Sequence, residues 1–327
     1  MKHVRALTRL CLAAAFLLPG TQAWAAGDAY PSRPIKIIVS YPAGGANDIV
    51  ARAAAEEISK DLGQAAIVEN ISGAAGTLGA GRAAKSAPDG YTLFMAAGAH
   101  ALAPSVRKNL PYDIIKDFTP VSIAAIGTYV LVVNPAVKAR SVRELIELAK
   151  SRPDELTFAS SGVGAPLHLA GVLFQEKTHT KLRHVPFRGD ADANTAVAAG
   201  HVDMIFGSLG PMLPLIRSGK VHALAVTSAT RSAVADDLPT MMEAGVPDYS
   251  IGTWWGLLAP AGTDPAIVDR LAQAMAKAAA NPAIKHRFKG MGVEAASNSP
   301  AEFREFIARE VRQYAAITQA AKIEPQE

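Results

Sequence analysis

The chain has 327 residues, one cysteine and a formal net charge of +4. A chain of this length buries about 75% of its surface on folding and needs no disulfide staple; the length also suggests two domains. Basic residues never run four together, which excludes the clustered positive charge that nucleic-acid binding needs.

Lys2, Arg5 and Arg9 precede the apolar run Leu10–Leu18, and Ala23-Trp24-Ala25 is a small-x-small site. That is the layout of a cleavable secretory signal peptide. The run falls short of the roughly 20 residues a membrane span requires. Residues 1–25 are therefore expected to be removed, leaving a soluble periplasmic monomer. That chain lacks Cys11 and has 30 basic against 29 acidic residues, a charge of about +1.

Short apolar runs then alternate with helical patterns. The runs are Ile35–Val39, Ala66–Glu69, Tyr91–Ala96, Val130–Val133, Leu156–Ala159, His184–Phe187, Val202–Phe206, Ala223–Thr227 and Trp254–Ala259. Most are continuously apolar, as in parallel strands covered on both faces. Val142, Leu145, Ile146 and Ala149 mark one face of a helix that opens on the capping box Ser141-Val-Arg-Glu144. Ile267, Leu271, Met275 and Ala278 mark a second, and Ser299-Pro300-Ala301-Glu302 opens a third, with Phe303, Phe306, Ile307, Val311 and Tyr314 on its buried face. The alternation predicts an α/β fold, each domain a mostly parallel sheet flanked by helices. Breaks near Gly127–Thr128 and Pro247–Gly252 divide the chain into one domain of residues 26–126 plus 253–327 and another of 127–252.

Three strand-to-helix turns are rich in glycine. The first, Pro42-Ala43-Gly44-Gly45, leads to Asn47–Asp48; the second, Ser160-Ser161-Gly162-Val163-Gly164-Ala165, leads to Pro166; the third is Arg188-Gly189-Asp190-Ala191. Glycine lets the backbone approach a ligand closely, and free amides at a helix start favour an anion. In α/β folds ligands bind at such strand C-termini. Each turn alone also reads as an ordinary connection with a capping residue. Adjacent Trp254 and Trp255 face opposite sides of a strand, so one can face a cleft while the other packs inside.

Catalytic patterns are missing. Ser160–Gly164 lacks the G-x-S-x-G order, Gly76–Gly81 lacks G-x-G-x-x-G spacing, and no P-loop occurs. His100, His168, His179, His184, His201, His222 and His286 contain no H-x-x-x-H pair. The sequence therefore predicts no enzyme, metal or cofactor.

In Tyr30-Pro-Ser-Arg-Pro-Ile, Pro42-Ala-Gly-Gly with Asp48, Ala87-Pro-Asp-Gly-Tyr-Thr-Leu93, Lys116-Asp-Phe-Thr-Pro-Val121, His184-Val-Pro-Phe-Arg-Gly189, Gly200-His-Val-Asp203 and Trp254-Trp-Gly-Leu-Leu-Ala-Pro-Ala-Gly262, the chain resembles the tripartite tricarboxylate transporter substrate-binding proteins, the Bug family. The resemblance spans the whole chain after the leader. It implies a Venus-flytrap receptor with two crossover hinge strands, closing on a small carboxylate: a di- or tricarboxylate, an acidic amino acid or an aromatic acid. Membrane permease subunits would be its partners. Backbone donors would come from Ala43–Gly45, Gly162–Ala165 and Gly189–Ala191, Asp203 and Trp254 would line the cleft, and Asp48 would brace the first turn. The chain departs from the family pattern at Gly45-Ala46-Asn47, Gly164-Ala165-Pro166 and Gly207-Ser208. Two other roles remain open. A periplasmic sensor presenting its ligand to a signalling protein has the same fold, and a hydrolase or isomerase needs a catalytic set that is not visible.

Overall fold

The computed structural model describes residues 30–326. The expected signal peptide lies outside the described residues. In chain order the elements are β1 (Ile35–Val39), α1 (Ala46–Leu62), β2 (Ala66–Asn70), α2 (Thr77–Ala84), β3 (Thr92–Ala97), α3 (Gly98–Val106), β4 (Phe118–Val133), α4 (Val142–Ser151), β5 (Thr157–Ser160), α5 (Pro166–Thr178), β6 (Arg183–Pro186) and α6 (Asp190–Ala198). Then follow β7 (Met204–Ser208), α7 (Leu209–Arg217), β8 (His222–Val226), β9 (Gly252–Pro260), α8 (Pro265–Ala280), α9 (Pro282–Gly290), β10 (Val293–Ala295) and α10 (Pro300–Ala320).

Two wings share strand β4. In the first, β2, β1 and β3 are parallel, while β9 and the first part of β4 run antiparallel. In the second, β6, β5 and β7 are parallel, and the last residues of β4 pair antiparallel with β7 and β8. Buried Ile37 and Val39 pack with Val50 and Ile58 of α1 and Leu271 of α8. On the other side Leu131, Phe158, Phe174 and Phe206 share a core with Phe303 and Ile307 of α10. The central strands β1, β3, β5 and β7 are largely apolar and buried because helices cover both faces, while the edge strands β2 and β6 are partly exposed.

The expected capping box of α10 forms: the Glu302 amide donates to Ser299 Oγ at 3.2 Å and the Ser299 amide to Glu302 Oε2 at 2.8 Å. At α4 only half forms as expected. Glu144 donates to Ser141 Oγ at 3.2 Å, but its own carboxylate takes the Arg140 amide at 2.7 Å, one residue earlier.

The break expected at Gly127–Thr128 falls within a strand that crosses from one wing to the other. β4 runs through it for 16 residues, four times the Val130–Val133 run. Gly127 is there for close approach: a Cβ would lie 2.7 Å from Thr253 Cγ2. Just beyond, Thr227 clasps the crossover. Its amide donates to the Tyr129 carbonyl at 2.9 Å, and its Oγ1 accepts from the Tyr129 amide at 3.0 Å.

Candidate functional site

The C-terminal ends of the strands in both wings face a cleft with two cavities. The first, about 370 Å3, is lined by the starts of four helices: Ala46 of α1, Pro166 and Leu167 of α5, Asp190 of α6, and Leu209 to Pro211 of α7. The first amides of a helix have no partner within it and carry partial positive charge. The crossover closes the floor with Thr128, Tyr129, Thr253 and Trp255. The second cavity, about 360 Å3, shares Ser161 and Pro166 with the first and extends to Gly162–Ala165, Ala99 and Arg107.

The first turn is held by Asp48, as the resemblance implied. Its buried carboxylate accepts from the Gly44 amide at 3.0 Å, Arg52 Nε at 2.9 Å and Asn70 Nδ2 at 3.0 Å. Burial opposes its charge, but these donors outweigh burial and hold the carboxyl below its ordinary value. Ala43, Gly44 and Gly45 are exposed and line neither cavity; Ala46, one residue on, does. Next to it, Asn47 is 6% exposed, and both polar atoms of its amide lack a hydrogen-bond partner among the described residues.

The second turn rests on two histidines. The His168 and His184 rings stack at 4.0 Å, and His168 also lies parallel to Phe158. His168 Nδ1 accepts the Gly164 amide at 3.1 Å, and His184 Nε2 pairs with Ser160 Oγ at 2.6 Å. Burial, then the neighbouring His168, pushes His184 down to about 4; burial also lowers His168. Both rings are therefore neutral at pH 7, as an accepting Nδ1 requires. Ser160 is fully buried as part of this brace, so Ser161 is the serine that faces the cavities. The Gly162 amide donates to Ser160 Oγ and the Ala165 amide to the Gly162 carbonyl. The amides of Gly44, Gly162, Gly164 and Ala165, four of those expected to face a ligand, thus have acceptors within the chain in this structure.

The structure also places three further expected site residues or turns. Asp203 stands at the N-terminal end of β7, where its Oδ2 accepts from the amide and hydroxyl of Thr157, both at 2.7 Å. It ties β5 to β7 at the end away from the cleft. Trp254 is 1% exposed, packs edge-on against Phe303 and Phe306, and donates to Glu310 at 3.2 Å; Trp255 is the tryptophan on the cavity floor. At the third turn only Asp190 lines a cavity, while Arg188, Gly189 and Ala191 do not. Sequence reasoning missed Arg107 and the crossover residues Thr128, Tyr129 and Thr253. Pro166 and Ser208, two departures from the family pattern, both line the first cavity.

Residues 50–323 match the model of the tripartite tricarboxylate transporter family receptor. The chain belongs to this family. It is 36% identical over 300 residues to Protein BugT of Bordetella pertussis, covering 91% of this chain and 92% of the relative. Among solved structures, a TctC solute-binding protein from Polaromonas is 31% identical with a TM-score of 0.81, covering 89% of this chain and 99% of that one. R. palustris Rpa4515 with adipate is 31% identical with a TM-score of 0.73, covering 91% and 100%. These relatives are solute-binding proteins, and the two-wing α/β architecture is theirs as well.

Proposed function

We propose that this chain is a periplasmic receptor that captures a small carboxylate between its wings and delivers it to the permease subunits of a tripartite tricarboxylate transporter, without chemical turnover. The observation that carries this reading is the convergence of the starts of α1, α5 and α7 on one cavity that, among the described residues, no basic side chain lines; the start of α6 brings Asp190 there instead. Each helix start contributes about 0.3–1 kcal/mol toward an anion. Each hydrogen bond to a charged group adds roughly 1.5–3 kcal/mol. Several such donors, less the cost of ordering, amount to about −8 kcal/mol, a micromolar complex. The adipate in the R. palustris relative supports a carboxylate as the ligand class.

On this reading residues 1–25 are the export signal. Residues 26–126 plus 253–327 and residues 127–252 then move as two bodies about the crossover, in a monomer. Mass spectrometry of what co-purifies with the exported protein, followed by calorimetry with that compound, tests it. A carboxylate bound at micromolar strength and recovered unchanged is expected; a bound compound without a carboxylate, or one that is turned over, overturns it.

A further inference from the structure

Among the described residues, Asp190 is the one charged side chain on the wall of the first cavity; no lysine, arginine or histidine among them lines it. Around it stand the hydroxyls of Tyr129, Ser208 and Thr253 and the apolar surfaces of Leu209, Trp255 and Val293. Burial, then the charge of Asp190, raises the Tyr129 hydroxyl above its ordinary value, so it remains a neutral donor. Arg107, in the second cavity, is the one cation on either wall among the described residues. The wall between the cavities, Ser161 and Pro166 at the start of α5, thus has Arg107 together with Glu324 on one side and Asp190 with no cation on the other.

We propose that Asp190 makes this receptor selective for monoanions whose far end carries a hydrogen-bond donor, an ammonium or a hydroxyl, and that it rejects a second carboxylate. This rests on the carboxylate-receptor reading above. With the ligand's carboxylate at the start of α5, its far end in the first cavity meets Asp190. Asp190 is exposed in this structure, so closure of the wings over the ligand is what brings a second carboxylate into water-poor repulsion with it, and no cation on that wall offsets the repulsion. A donor there makes a charge-assisted hydrogen bond instead. An acidic residue in a first helical turn also stabilises the helix itself. Asp192, in the same turn of α6 but lining neither cavity, does that equally and serves as the control.

The test is calorimetry on ligand-stripped mature protein with two sets of matched probes: 4-aminobutyrate, 4-hydroxybutyrate and glutarate, and 4-aminobenzoate, 4-hydroxybenzoate and terephthalate. In the set that binds, a donor-tailed probe is expected to bind at least about tenfold more tightly than the dicarboxylate. Asp190→Asn should erase that ratio and Asp192→Asn should preserve it. A dicarboxylate that binds wild type as well as its donor-tailed partner overturns the proposal, as does a ratio that survives Asp190→Asn. If the asparagine variant does not fold, Asp190→Ser is read in the same way. If no probe binds, the co-purified ligand decides: one carboxylate with a donor supports the proposal, and two or more carboxylates overturn it. A co-purified ligand with no carboxylate, or none at all, removes the receptor reading and the proposal together.

Discussion

The first and second turns have the same sequence logic, a strand, a glycine-rich bend and a helix start, yet they are braced by opposite chemistry. A buried, ionised Asp48 takes the Gly44 amide; a buried, neutral His168 takes the Gly164 amide. In each, the side chain four residues after the glycine reaches back from the helix to its amide. Each brace must keep its own protonation state to accept, so the two turns should fail in different pH ranges.

Asp48→Ala should have the largest effect. It leaves the Gly44 amide and Asn70 Nδ2 without their acceptor and removes a charge-assisted pair with Arg52. A loss of about 3 kcal/mol in urea unfolding is expected. The folded carboxyl lies below its ordinary value, so its contribution is present above pH 3.8 and is lost as pH falls through the depressed value.

His168→Leu should cost less, about 1–2 kcal/mol, because one neutral hydrogen bond is lost. It also sharpens the comparison through pH. His184 is neutral in the fold with a value near 4 against an ordinary 6.5, so the stability it contributes is present above pH 6.5 and lost as pH falls through about 4. Wild-type stability and ligand affinity should both decline over that window, before Asp48 protonates. The leucine variant should show a shallower decline in the same titration. Equal slopes for the two proteins would mean that the histidine stack does not control the turn.

The smallest effect should come from the third turn, which lacks either kind of brace. Arg188 is exposed and lines neither cavity, so Arg188→Ala should change affinity by less than about twofold in calorimetry. A tenfold loss would put an arginine clamp back in the site.

How much of this was legible in the sequence follows from what each feature depends on. β1 matched its apolar run at both ends, and Ser299–Glu302 set the start of α10, because both signals are local. The first part of β4 was not legible. Gly127 read as a break, and only the pairing with β9, with its irregular register at Pro120–Ser122, shows how one strand runs from Phe118 through it. Strand alternation separated Trp254 from Trp255 but carries no information about which face is the cleft. Asp203 follows from position alone, since β7 begins immediately after it and the cleft lies at the other end. The spent amides of Gly44 and Gly164 could not be foreseen from glycine patterning. Their acceptors were in view, but the patterning gave no sign that those side chains fold back.

The most direct test of the site is the amide chemical-shift response of the labelled protein to its co-purified ligand. Saturation should shift Ala46, Ser161, Leu167, Leu209 and Gly210, at the helix starts around the first cavity, more than Gly44 and Gly164, whose amides are already bound within the chain. Shifts centred on Gly44 and Gly164, with the helix starts unmoved, would contradict the account.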